Sequence, residues 1–226
     1  MNERDPYLTL LCSLPGFDAL FAQKIPPLSR LRLNNRLQQL STEHQQQLAI
    51  AEQILDWSYW KAGAEDQQSA MQIQHFLQQL HDERVKQLVQ EKLDLRAINA
   101  AIGYRQQALF RQQAPAGHWC VSRLRKRLEQ HWLEEDFSLG QAFPWVSDAV
   151  ALIREQQTLA LEKLILQQAW NHLLRQSPED EFSFFAVVIY VLKWNIAERW
   201  SRIDSNNARA RFHQTLLQLS AGEMTA

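Results

Sequence analysis

Cysteine, glycine and proline are scarce in this chain of 226 residues, which holds two, six and seven of them. Cys12 and Cys120 lie far apart and fit no metal or redox spacing, so both are expected as reduced thiols. So few glycines and prolines, with many Gln and Leu, favour helices and speak against disorder. An excess of charge is missing as well: the formal net charge is −1, which argues against a generic polyanion-binding surface. Long apolar runs are missing too. The longest, Phe182 to Leu192, is about half of the ~20 residues that span a bilayer. At the N-terminus, Met1-Asn2-Glu3-Arg4-Asp5 precede only a short apolar stretch, Tyr7 to Leu14, closed by Pro15-Gly16, which does not make a signal peptide. The expectation is a soluble protein that meets a membrane only through a partner.

What is present is helical periodicity. Tyr7 to Leu14 reads as a short strand or as the first turns of a helix. Pro26-Pro27 opens a helix through Leu28, Leu31, Leu37 and Leu40. Ser41-Thr42-Glu43 starts the next, with Leu48, Ala51, Leu55 and Tyr59 on one face, thickened by Trp57 and Trp60 and ended by Lys61-Ala62-Gly63. Ile73, Phe76, Leu77 and Leu80 mark another. From Glu83 to about Gln113 a long helix is predicted, with Leu88, Leu95, Ile102 and Leu109 recurring at sevens, until Ala114-Pro115-Ala116-Gly117 breaks it. Arg123 to Trp132 is a short basic helix and Glu134 to Trp145 mostly connection.

Ser147 to Gln176 is the second long helix, with Leu152, Leu159, Leu166 and Leu173 at sevens and a length of roughly 45 Å. Ser177-Pro178-Glu179-Asp180-Glu181 reads as a helix start, with a cap, a proline and carboxylates at the positive end of the dipole. The helix from Glu179 to Arg202 is apolar on nearly every face and must be wrapped by others, with Phe185, Val188, Ile189 and Leu192 packed on the Leu152/Leu159/Leu166 face. After Asp204 a last helix runs from Ala208 to Leu219. Two heptad-spaced faces suggest antiparallel helices at shallow angles. The predicted fold is all-α: an irregular helical bundle with at most a short N-terminal strand. It forms one body, 1–226, divisible into related modules 1–113 and 121–226 joined by the loop 114–120.

The motifs of catalysis are absent. The seven histidines show no i, i+4 pair with a carboxylate ligand set, and there is no GxxxxGK[ST], GxGxxG or GxSxG. Glu134-Glu135-Asp136 and Glu179-Asp180-Glu181 sit at helix or loop ends, where acids cap and solvate. No catalytic, cofactor or metal site is predicted, and the chain is not expected to be an enzyme. Arg123-Leu124-Arg125-Lys126-Arg127 is the one basic cluster, and nucleic-acid binding would want more positive charge elsewhere. Arg125 and Lys126 belong to a solvated helix face or to a surface for an anionic partner. Trp119, on a loop, is tucked into the core or anchors an interface.

Several segments together resemble a known family. Tyr7-Leu8-Thr9-Leu10-Leu11-Cys12-Ser13-Leu14-Pro15 resembles the start of bacterial proteins that accompany V/A-type ATPase subunits and are similar to the C-type (or d-type) component of the rotor. Leu93-Asp94-Leu95-Arg96-Ala97-Ile98-Asn99-Ala100-Ala101-Ile102-Gly103-Tyr104-Arg105 resembles that family's central helix. Asp136-Phe137-Ser138-Leu139-Gly140 resembles its Asp-Phe-Gly-Leu turn, with Ser138 in the place of the glycine. Tyr190, Lys193, Glu198-Arg199-Trp200, Asp204 and Phe212 fit its closing helices. The resemblance implies a non-catalytic subunit of a V/A-type rotary ATPase. Its partners would be central-stalk and rotor-ring subunits, and its place cytoplasmic, peripheral at the inner face of the membrane. A stand-alone helical adaptor or assembly factor is the alternative. Asp94, Arg96, Asn99 and Arg105 would then be part-buried groups that fix how two helical modules meet, or else ordinary surface pairs.

Overall fold

The computed structural model describes residues 5–22, 25–56, 67–176 and 181–223, with the backbone course alone at 5–6, 67–69 and 204–223. The described residues form nine α-helices and no strand: α1 Asp5–Ser13, α2 Arg30–Leu37, α3 Thr42–Leu55, α4 Gln67–Gln78, α5 Glu83–Gln106, α6 Arg125–Gln130, α7 Trp145–Arg154, α8 Thr158–Arg175 and α9 Phe184–Glu223. The protein is an all-α helical bundle. The stretch Tyr7 to Leu14, open between strand and helix, forms most of α1. Trp57, Tyr59, Trp60, the stop at Lys61-Ala62-Gly63 and the start at Ser177-Pro178-Glu179-Asp180 lie outside the described residues, as do the side chains of Asp204 and Phe212.

Side-chain caps set several of the helix starts. Ser41 Oγ accepts from His44 N (3.2 Å) to begin α3, and Asp82 Oδ1 accepts from Arg84 N (2.9 Å) and Val85 N (3.2 Å) to begin α5. Helix α2 starts at the Ser29 cap rather than at Pro26-Pro27. That shift in phase turns Leu33 and Leu37 inward and leaves Leu31 71% exposed.

Three predicted boundaries are corrected by the structure. The helix from Glu83 ends at Gln106, not Gln113, because Gln107 turns to extended backbone and the 3₁₀ turn Ala108–Phe110 folds Phe110 against Tyr104, ring centroids 5.3 Å apart. Leu109 is thereby turned outward, 76% exposed, instead of closing the heptad face. The helix from Ser147 to Gln176 is two helices, α7 and α8. Gln156 adopts φ 56°, its N–H donates to Ile153 O (3.1 Å), and Gln157 N–H donates to Leu152 O (2.9 Å). That pairing ends a helix, with glutamine in the left-handed position usually held by glycine. The third is α9, which begins at Phe184, where Ser183 Oγ accepts from Ala186 N (3.3 Å), and runs unbroken past Asp204 to Glu223. Its polar stretch costs only a few tenths of a kcal/mol per residue, too little to break a helix without Pro or Gly.

Two apolar clusters form the interior. The first joins α1 to α4, the first half of α5, α8 and α9; the second joins the rest of α5, Trp119, Cys120, Leu128, the 132–139 loop and α7. Helix α5 runs through both. Phe185, Val188, Ile189 and Leu192 are buried in the first cluster with Leu166, while Leu159 packs at its edge and Leu152 is not part of it. Polar side chains tie loops to this interior. Trp194 Nε1 donates to Leu28 O (2.8 Å), and buried Gln47 donates to Gln79 O (2.7 Å) while accepting from His81 N (2.8 Å).

Candidate interaction site

The predicted residues fall around the second half of α5, where it meets the segment 118–125. Asp94 faces inward from α5 and is 5% exposed. Its Oδ1 accepts from Ser122 Oγ (2.7 Å) and Arg123 N (2.9 Å), and its Oδ2 from Arg123 Nε (2.9 Å) and Nη2 (2.7 Å). Four donors to one carboxylate make a charge-assisted brace rather than a surface pair. Arg105, three turns on, donates to the carbonyls of Trp132 (3.2 Å), Glu134 and Glu135 (2.6 Å). Its guanidinium stands over the Phe137 ring, 4.1 Å from the centroid. Burial, and the nearby charge of Arg154, hold the Arg105 pKa below its usual range.

The structure brings Trp119 and Arg125 together through a residue the sequence did not mark. Trp119 is buried and donates from Nε1 to Glu129 Oε1 (3.0 Å); Arg125 Nε donates to the same oxygen (2.8 Å) and its Nη1 bonds His118 Nδ1 (2.9 Å). Trp119 thus serves the core, edge-on to Tyr104 and Trp132, and Arg125 is half-buried rather than on a fully solvated face. Lys126 is exposed. Arg96 reaches Ile54 O (3.4 Å), and Asn99 Oδ1 is buried without a partner among the described residues. Neither of those two joins the Asp94 brace.

Around the brace lies a groove of about 320 Å³ between α4, α5 and the 118–125 segment. Among the described residues no set of three or more His, Cys, Asp or Glu is placed to hold a metal ion, and both cysteines are free thiols. No helix among them is long and apolar enough to cross a membrane.

A second polar cluster, missed from sequence, lies between α5 and α8. Lys92 has a partly exposed stem, but its amine is enclosed and donates to Ala169 O (2.7 Å). Burial lowers its pKa to about 7. Next to it Glu91 lies 3.1 Å from His172 Nε2 and accepts from Gln176 (3.1 Å). Burial and then the Lys92 charge lower the His172 pKa, with Glu91 acting the other way. A lysine set among Leu88, Val89 and Leu93 on a buried helix was the available signal.

The chain matches, over residues 64–223, the family described as protein of unknown function (DUF2764), and it belongs to that family. No curated protein and no solved structure matches it.

Proposed function

We propose that this chain is a non-catalytic C/d-like component of a V/A-type rotary ATPase, seating the central stalk on the membrane rotor ring. The observation that carries this reading is how the segments bearing the resemblance pack. Tyr190 donates to Pro15 O (3.0 Å), joining the closing helix to the N-terminal motif. Arg105 ends the Leu93–Arg105 motif and lies over Phe137 of the Asp136–Gly140 turn. Arg199 donates from Nε to Glu162 Oε1 (2.7 Å), tying α9 to α8. Segments far apart in sequence therefore meet as pairs, and their polar groups are spent on struts between helices. A body that transmits torque needs such internal bracing.

Asp94, Arg105 and Trp119 fix the shape in this account, whereas Arg125 and Lys126 lie nearer the surface that partners meet. The test is purification of the chain from membranes of its native host by a tag on the chromosomal copy. Stalk or ring subunits of the ATPase should accompany it. Intact ATPase recovered without this chain sinks the proposal and leaves the stand-alone adaptor.

A further inference from the structure

The groove beside Asp94 has a build that a purely structural seam would not need. Leu93 and Cys120 are buried and Leu77 and Val121 half-buried along it, giving an apolar floor. Gln74 of α4 and Gln90 of α5 line it as well, and neither amide is bonded within the described residues. Each brings both a donor and an acceptor. The rim is cationic. Arg123 gives Nε and Nη2 to Asp94, and Arg125 gives Nε to Glu129 and Nη1 to His118. One terminal nitrogen of each guanidinium is left without a partner among the described residues. Arg123, Arg125, Lys126 and Arg127 bring four positive charges, and the carboxylates bonded to them are two, Asp94 and Glu129. A local excess of two positive charges thus stands on a chain whose formal net charge is −1.

We infer that this groove is a docking site for an acidic peptide segment of a partner protein. A carboxylate of that segment meets Arg123 and Arg125, and a neighbouring apolar side chain seats on Leu77, Leu93 and Val121. Charge complementarity selects an acidic occupant. The unpaired amides of Gln74 and Gln90 select a peptide, because a main chain offers both N–H and C=O, whereas a bare phosphate would use the donors alone. A volume of about 320 Å³ lies at the small end of the roughly 300–1,000 Å³ typical of binding pockets, enough for a few residues. An excess of only two charges is too small to hold a nucleic acid, whose binding grows with the number of phosphates neutralised. This rests on the reading of the chain as a partner-binding body, but not on which assembly supplies the partner.

The test is selection of displayed random peptides on the purified full-length chain, followed by fluorescence anisotropy with fluorescein-labelled synthetic copies of the winners. Winners should pair Asp or Glu with Leu, Ile, Met or Phe. Arg125→Gln should weaken their binding about tenfold. Gln74→Glu removes no contact, so it should leave the fold intact, and it should weaken binding roughly three- to tenfold, while Gln74→Lys should not. Neutral or basic winners would overturn the inference, as would affinities unchanged in both Arg125→Gln and Gln74→Glu. Displacement by inorganic phosphate, with no loss when the apolar side chain is replaced by Ala, would also overturn it, by making the groove a plain anion site. Only the purified chain is used, so absence of ATPase subunits in the native purification leaves this result standing. A failed selection likewise leaves the ATPase assignment intact.

Discussion

Asp94→Asn tests the brace directly. Each oxygen of the carboxylate accepts two donors, so whichever way the new amide lies, its NH₂ meets N–H or O–H groups that need an acceptor. Two charge-assisted bonds are lost, and the buried donors gain no replacement. At about 1.5–3 kcal/mol for a hydrogen bond to a charged group, offset where Arg123 (53% exposed) reaches water, the expected cost is about 3 kcal/mol. The effect has a local readout as well. Ser122 and Arg123 hold the segment that buries Cys120, which is 5% exposed, whereas Cys12 is exposed. An aromatic disulfide reagent should therefore titrate one fast and one slow thiol in the native protein, and two fast thiols in Asp94→Asn. Urea denaturation followed by tryptophan fluorescence gives the global cost. A midpoint shift worth less than about 0.5 kcal/mol, with Cys120 still slow, would refute the brace.

Lys92→Met should stabilise the protein by about 1–4 kcal/mol at pH 6, since it replaces a buried amine by an apolar side chain of similar length. The sign follows from the lowered pKa. Between about 7 and the usual 10.5 the unfolded chain holds the Lys92 proton and the folded chain does not, so native stability rises with pH across that window and the variant's advantage fades. His172, also lowered, acts in the same direction at more acid pH; Glu91 and Arg175 are the other charges facing the pair, and thermal melts from pH 6 to 10 would show the convergence. Ile189→Ala should cost about 2–5 kcal/mol in urea through lost burial and a residual cavity, while exposed Lys126→Ala stays within about 0.5 kcal/mol. Ser138→Gly should gain about 1 kcal/mol in the same assay, because Ser138 sits at φ 57° and its N–H bond to Asp136 Oδ1 (2.9 Å) survives the change.

Helix existence was legible wherever an apolar face recurs at helical spacing and a serine or aspartate caps it, as at Ser41. The core face Phe185, Val188, Ile189, Leu192 was legible for the same reason. Boundaries set by backbone conformation were not. Gln156 ends α7 in a left-handed conformation that glutamine seldom takes, and nothing in Arg154-Glu155-Gln156-Gln157 announces it. Leu109 and Leu31 followed the apolar pattern yet face outward, since a turn at Gln107 and a one-turn shift at Ser29 reset the phase. In the site, Asp94 and Arg105 stood out as charges on an otherwise apolar helix. Their partners Ser122, Arg123 and the 132–135 carbonyls did not, because pairs 27 to 30 positions apart are joined by the fold alone. Glu129, which links Trp119 to Arg125, left no sequence mark either.

The most direct measurement is coupling in membrane vesicles from the native host with this gene deleted. If the chain seats the stalk on the ring, ATP-driven ion uptake by the V/A-type ATPase should be lost while its catalytic head still hydrolyses ATP, and the wild-type gene should restore uptake. Undiminished uptake in the deletion strain would contradict the account.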